Sequence, residues 1–356
     1  MARVTFLKLW ITRLTVWEYM PWWVANVPVY GYWLWFSLRA RHFFFFANVN
    51  PAIPLGGAMG ESKSDILKLL PAAIVPKWIL VQPSDSPENI QAALATAGIG
   101  YPLIAKPDVG ERGFLVKKVE SPEALVEYLR VWPVPFILQE FLTLPFEASV
   151  LFHQFPNGKG GVTSVCLKQF MRVRGDGVST IRSLMGQDAR SAFQLERFER
   201  DFPEILETVP AAGVDTLLEP IGNHARGTKF LNGNHLIDGP MQAAFEKIYH
   251  NIEGVCYGRF DLKYQDEAAL RRGEFKTMEL NGVLGEPAHI YDPSYGMWRA
   301  YRDLWRHWRL LFQLHKAQKK QGIHPTSTAE AWRFVQEYFR YKKALEGRNS
   351  QRKAVV

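Results

Sequence analysis

Apolar and polar residues alternate in two short stretches late in the chain. One is Tyr257-Gly258-Arg259-Phe260-Asp261-Leu262-Lys263-Tyr264; the other is Phe275-Lys276-Thr277-Met278-Glu279-Leu280-Asn281-Gly282. A period of two predicts strands, whose successive side chains point to opposite faces. Phe260 and Leu262 then face a core, as do Met278 and Leu280. Arg259, Asp261 and Lys263 share the other face, met there by Thr277, Glu279 and Asn281. The polar run Gln265 to Gly273 predicts a turn that folds the strands into a hairpin. Asp261 is thereby placed beside Glu279 and Asn281, with Arg259 close by.

Upstream, strands are predicted over Trp78–Val81, over Leu103–Lys106 before Pro107, over Leu115–Val119, over Phe136–Glu140, and over Glu147–Phe155 with a turn at Asn157-Gly158. A short helix is predicted from Ser62 to Leu70. Ser86-Pro87-Glu88 opens a helix that Gly98 closes, and Ser121-Pro122-Glu123 opens another through about Arg130. After Pro293 the pattern turns helical, with Met297 to Gln321 as one long helix. Ser327-Thr328-Ala329-Glu330 has capping-box form and opens a second. Alternating strand and helix signals predict a mixed α/β or α+β fold. Three segments result: 1–50, rich in aromatics; 51–295, mixed; and 296–356, basic and helical.

Composition changes the picture at three points. A net charge of +8 and a pI near 9.3 favour anionic partners, but no RNA or DNA motif appears, so nucleic acid is not an expected partner. Cys166 and Cys256 lie far apart, without metal-type spacing, and read as thiols of a reducing, cytoplasmic compartment. Half of the 12 Trp fall in the first 35 residues (Trp10, Trp17, Trp22, Trp23, Trp33, Trp35), and Phe43 to Phe46 follow. This stretch lacks the cleavage site of a signal peptide. Pro21 to Leu38 carries no charge but is short for a span of ~20 apolar residues, and Asn26, Pro28 and Gly31 weaken it. A monotopic or re-entrant membrane contact is the favoured expectation, with Arg39, Arg41 and His42 at the headgroups. The alternative is an aromatic arm packed on the domain's own core or on a second subunit, and the oligomeric state stays open. Trp298, Trp305, Trp308, Phe312 and His315 recur at helical spacing amid Arg299, Arg302, Arg306, Arg309, Lys316, Lys319 and Lys320. That helix either lies on an anionic membrane or packs on its own domain.

The chemistry gathers on the polar faces. Two carboxylates and a neutral oxygen donor, Asp261, Glu279 and Asn281, suit Mg²⁺, which takes oxygen ligands. Lys106 ends an apolar strand just before Asp108-Val109-Gly110-Glu111-Arg112-Gly113. Glycines let such a loop approach a phosphate with its backbone N–H groups, and the lysine adds charge. The loop fits neither a Walker A sequence nor a dinucleotide fingerprint.

The order of these parts resembles the ATP-grasp superfamily, within it the D-alanine–D-alanine ligases and the ligase half of cyanophycin synthetase. The resemblance runs roughly from Gly60 to Asp292. It rests on the strand-Lys106-Pro107 with its glycine loop, Gln139-Glu140-Phe141-Leu142, Glu147, Arg259-x-Asp261 and Glu279-x-Asn281. Arg174 to Ile181 is similar to the Gly-Asp-Gly loop of the cyanophycin-type enzymes, and Asn223 to Thr228 to a later loop of that group. The resemblance implies an ATP-grasp fold, two α+β subdomains clasping ATP. It implies that Lys106 contacts ATP phosphates, as does a first lysine that is either Lys63 or Lys68. It places Glu140, with the backbone of Phe141 and Leu142, at the adenine, and Glu147 at the ribose. Asp261, Glu279 and Asn281 would hold one or two Mg²⁺, and Arg259 would stabilise the transferred phosphoryl group. Lys168 is a γ-phosphate candidate on strand periodicity alone. The Gly110–Gly113 loop and the Gly175–Thr180 segment are candidate lids. The family's N-terminal α/β domain is missing, replaced by the aromatic segment, and the residues that grip its amino acids are not recognisable. The implied reaction is ATP-dependent ligation of a carboxylate to an amine-type acceptor through an acyl-phosphate. Where the aromatic start and the basic helix lie on a membrane, their placement, not the resemblance, makes a lipid or cell-envelope substrate at its inner face the expected one. The alternatives are a soluble amino-acid or peptide ligase, and a membrane-associated ATP-binding protein without catalysis.

Overall fold

The computed structural model describes residues 12, 16–111 and 113–353; Trp10 and Arg112, of the aromatic segment and the glycine loop, lie outside them. Helix α1 (Val27–Ala40) leads through short 3-10 turns to α2 (Lys63–Leu69). A first α+β unit follows: β1 (Trp78–Val81), α3 (Pro87–Ala97), β2 (Leu103–Pro107), β3 (Lys117–Val119), α4 (Pro122–Val131) and β4 (Phe136–Glu140). Ser62, Ser86 and Ser121 cap α2, α3 and α4, each accepting the amide three residues on. Gly98 closes α3 at φ 63°, a conformation that suits glycine. The strands form an antiparallel sheet in the order β1-β4-β2-β3. Ile90 and Leu94 of α3 and Leu125 of α4 pack on Leu103, Ala105 and Leu138 of that sheet. β3 starts later than the pattern predicts because Leu115 takes a positive φ of 56°, which a strand does not accept.

The second unit holds β5 (Phe146–Gln154), β6 (Gly160–Gln169) and a small ribbon of β7 (Arg172–Arg174) with β8 (Asp215–Leu217). Helix α5 (Leu195–Asp201) lies between the ribbon strands in sequence. Then come β9 (Lys229–Asn232), α6 (Gly239–Tyr249), β10 (Tyr257–Tyr264), α7 (Glu267–Arg271) and β11 (Phe275–Asn281). Its five-stranded antiparallel sheet has the order β11-β10-β5-β6-β9. One face takes α6: Met241, Phe245 and Tyr249 pack on Val150, Phe152 and Phe260. The Phe152 ring stacks on Tyr249 at 5.6 Å and on Phe260 at 5.0 Å. Full burial of each such side chain is worth about 1.5–3 kcal/mol. The other face is polar and looks across a cleft at the first unit.

Helices α8 (Met297–Lys320) and α9 (Thr328–Lys353) complete the chain. Ser327 caps α9, its hydroxyl accepting the Glu330 amide at 3.3 Å, but Glu330 Oε2 accepts from that hydroxyl rather than from the Ser327 amide, so only half of the expected capping box forms. The aromatic segment folds onto α8. Phe36 meets Trp305 at 5.0 Å and Phe312 at 5.2 Å, and Phe45 and Phe46 meet Trp308 at 6.2 Å. Phe44, Phe45 and Phe46 are buried, so this part of the segment serves the protein's own core. The outer side of α1 stays exposed. Among the described residues, no helix is long and apolar enough to cross a membrane.

Two expectations for the late strands are corrected. The connection Gln265–Gly273 is no simple turn, because Asp266 caps α7 inside it. The β10–β11 register also shifts after Asp261, so that Leu262 pairs with Thr277 and Met278 is the extra residue of a bulge. Thr277 is therefore buried in the core, while Met278 joins Glu279 on the cleft side. The architecture is α+β, two units clasping a cleft as the ATP-grasp resemblance implies, with an aromatic N-terminal segment and C-terminal helices.

Candidate active site

The cleft holds about 1770 Å³, well above the roughly 300–1,000 Å³ of a pocket for one small molecule. Its floor is the polar face of the second sheet. β5 sets Glu147 opposite Lys168 of β6 and Lys263 of β10, and Ser149 opposite Asp261. β10 in turn sets Asp261 opposite Glu279 and Arg259 opposite Asn281. Strand register alone thus gathers these groups.

Asp261 is the hub. Lys168 Nζ donates to Oδ1 at 2.8 Å, and the Ser149 hydroxyl donates to the same oxygen. Asn281 Nδ2 donates to Oδ2 at 2.8 Å, and Arg259 Nη2 lies 3.4 Å from it. Burial pushes the Asp261 carboxyl up, but Lys168 and Arg259 outweigh it and hold it well below the usual carboxylate range. Glu147 goes the other way. Lys168 lies 4.0 Å and Lys263 3.4 Å from its oxygens, yet burial dominates and raises it.

Lys106 reaches across from the first sheet. Its ammonium donates to the Met278 carbonyl at 2.8 Å, and burial lowers its pKa to about 8. Lys63, the first residue of α2, donates to the Gly110 carbonyl and lies 3.6 Å from Glu279 Oε1. Lys68 pairs with Asp65 at 2.8 Å on the surface, so of the two lysines Lys63 is the one in the cleft. Ser64 N donates to Asp108 Oδ1 at 2.8 Å, tying the start of α2 to the glycine loop. Gly110 and Gly113 line the cleft, as do Glu140, Phe141 and Leu142 at the end of β4. Glu140 Oε1 accepts the Lys77 amide at 2.8 Å.

Every candidate named from sequence for nucleotide, metal or catalysis, Lys68 aside, therefore borders one cavity. The Gly175–Thr180 segment does not. Asp176 there accepts the amides of Val178 at 2.9 Å and Ser179 at 2.7 Å, closing a turn away from the cleft. The Asn223–Gly227 loop does border it.

Sequence reasoning missed one whole wall. Met20, Pro21 and Ala25 of the aromatic segment line the cleft, beside Phe193 and Ile205. Glu18, buried, accepts from Arg190 and lies 3.2 Å from His224 Nε2. No local pattern announces a partner 172 residues away. Lys263 carried a readable signal, since it shares the face of Asp261 two residues earlier.

The donor set fits a hard divalent cation. Asp261, Glu279 and Asn281 offer oxygens from adjacent strands, and Glu279 keeps 39% of its side chain accessible toward the cleft. Among the described residues, no group of three His, Cys, Asp or Glu is placed to hold a metal, so ligands beyond these would come from phosphate or water. Arg259 Nε is buried without a hydrogen-bond partner, and buried Lys106 has its proton affinity lowered. Both would gain from anionic oxygens.

No protein-family model and no curated protein matches the chain. Solved structures do. D-alanine–D-alanine ligase from Bacillus anthracis shares 13% identity over 73% of this chain and 68% of that one, at a TM-score of 0.40. VanG D-Ala:D-Ser ligase from Enterococcus faecalis shares 14% over 76% and 64%, at 0.41. A bifunctional glutathione synthetase from Pasteurella multocida shares 16% over 70% and 36%, at 0.40. The chain thus spans about two thirds or less of the length of each. These neighbours are ATP-grasp enzymes, and a likeness this loose transfers neither a residue's role nor a reaction.

Proposed function

We propose that this chain is an ATP- and Mg²⁺-dependent ligase that joins a carboxylate to an amine through an acyl-phosphate. The observation that carries the reading is the convergence of Lys63, Lys106, Lys168 and Arg259 around Asp261, Glu279 and Asn281 in a cavity with room for a nucleotide and a second molecule. In the proposed reaction a carboxylate oxygen attacks the γ-phosphorus of ATP, and the bond to the bridging oxygen breaks to release ADP. The amine nitrogen then attacks the acyl carbon, loses a proton and displaces phosphate. Lys106 and Lys168 neutralise phosphate charge, and Arg259 faces the transferred group. Glu140, Phe141 and Leu142 border the adenine, and Glu147 accepts from the ribose. Asp261, Glu279 and Asn281 would hold Mg²⁺, which would supply positive charge against the phosphates. Water would hydrolyse the acyl-phosphate, so the cleft must close over it during the reaction. A cytoplasmic site of action supplies the ATP.

The test is untargeted. The protein is incubated with ATP, Mg²⁺ and cell extract, ADP is measured, and mass spectrometry looks for a product gaining one condensed unit. Asp261→Ala and Glu279→Ala should abolish both signals. Absence of metal-dependent ATP binding by the intact chain would overturn the reading in favour of a protein without ligase activity.

A further inference from the structure

Helix α1 is almost wholly apolar, yet among the described residues one side of it is buried and the other exposed. Val29 and Phe36 face α8 and the core. Trp23, just before the helix, and Val27, Tyr30, Leu34, Trp35 and Leu38 are between 45% and 69% exposed. They recur at the three- and four-residue spacing of one helical face. Scattered apolar side chains on a surface need no explanation, but a continuous stripe does.

The surroundings say what covers it. No acidic residue occurs between Glu18 and Glu61. Arg39 lies over the rings of Trp35 at 5.8 Å and Phe312 at 5.9 Å, and Lys316 over Phe312 at 5.8 Å. Arg309 is exposed on the same α8. An apolar stripe rich in Trp and Tyr beside uncompensated cations is complementary to an anionic lipid surface. At 1.5 Å per residue the 14-residue α1 is about 21 Å long, short of the roughly 30 Å hydrocarbon layer, so it lies in the interface rather than across it. A symmetric contact with a second copy would set the cations of this rim against one another.

The stripe also adjoins the cleft along the chain. Met20, Pro21, Ala25 and Asn26, beside Trp23 and Val27 in sequence, line the cavity wall together with Phe193 and Ile205. We propose that α1 docks on an anionic bilayer and that one substrate is an amphiphile entering the cleft from that side. Its tail would lie along the apolar wall and its polar head at Asp261 and Arg259. The second half of this inference rests on the ligase reading; the docking does not.

The test is flotation of the full chain with vesicles of phosphatidylcholine, with and without phosphatidylglycerol. The wild type should float with the anionic vesicles and release as salt rises. The triple variant Trp23→Glu, Leu34→Glu, Leu38→Glu should lose at least tenfold in binding, and Arg39→Glu with Lys316→Glu should lose the preference for phosphatidylglycerol. Unchanged melting curves would show that these surface variants fold. A wild type that stays with neither vesicle, a triple variant that floats like wild type, or a wild-type dimer that the triple variant splits would each overturn docking. Docking with no ADP release from lipid extract would overturn the amphiphilic substrate and leave docking standing. ADP release on soluble amino acids alone would do the same while keeping the ligase.

Discussion

Asp261 and Glu279 sit side by side, and both are assigned to the metal, yet their removal should differ sharply in stability. Asp261→Ala deletes the carboxylate that accepts from Lys168, Ser149 and Asn281 and faces Arg259. The Lys168 side chain is only 6% exposed, so its ammonium would be left with Glu147 alone, at 4.0 Å. Removing one partner of such a buried pair costs about 3–5 kcal/mol. Glu279 is more open, and its nearest cation, Lys63, lies 3.6 Å away. An ion pair of that kind is worth about 1 kcal/mol or less after solvent screening. The sign with pH follows. The Asp261 carboxyl is held below its unfolded value of about 3.9, so its contribution is fully present above that pH and drains away as pH falls through the lower folded value. Urea unfolding followed by tryptophan fluorescence at pH 7 should therefore show a large loss for Asp261→Ala and little for Glu279→Ala, with the gap closing in acid. Tripolyphosphate, which offers oxygens to Lys168 and Arg259, should restore part of the loss. Equal stability of the two variants at pH 7 would refute the hub role of Asp261.

Three further outcomes are expected. Lys106→Met should keep or raise stability, since a buried cation gives way to a side chain of similar length, but should weaken ATP binding at least tenfold; titration calorimetry reads both the affinity and its pH profile. With Lys106 losing its proton near pH 8, wild-type affinity should fall as pH rises through 8, and the variant should lack that fall. Gly222→Ala would put a Cβ 1.9 Å from Glu147 Oε2 and 2.9 Å from Lys168 Cδ. Glu147 must then move, at a cost of about 1–3 kcal/mol, and steady-state kinetics should show a raised KM for ATP. Glu18→Gln weakens the tie to Arg190 and His224. Limited proteolysis should then cut faster between 180 and 230 than in the wild type.

Local signals in the sequence were dependable where the physics is local. Ser62, Ser86 and Ser121 marked helix starts because their hydroxyls satisfy amides three residues away, and Gly98 marked a helix end. The facing of Asp261 and Glu279 followed from strand period. The same reasoning failed at Thr277, where the bulge at Met278 reverses the face of every residue before it. A single inserted residue leaves no mark in the apolar pattern. The Gly175–Thr180 segment forms a turn closed by Asp176 and does not line the cleft. The aromatic segment has two parts that the apolar pattern alone does not separate. Phe44 to Phe46 are interior, while the outer face of α1 is bare, and only the partner helix some 270 residues later decides which ring goes where.

That late partner has a cost during synthesis. The cluster that buries Phe36, Phe45 and Phe46 is completed by Leu311, Leu314, Ala331 and Val335. At 5–20 residues per second, a ribosome needs roughly 15–60 s to deliver α8 after the phenylalanines emerge. Through that interval the nascent chain displays these phenylalanines without the helices that bury them.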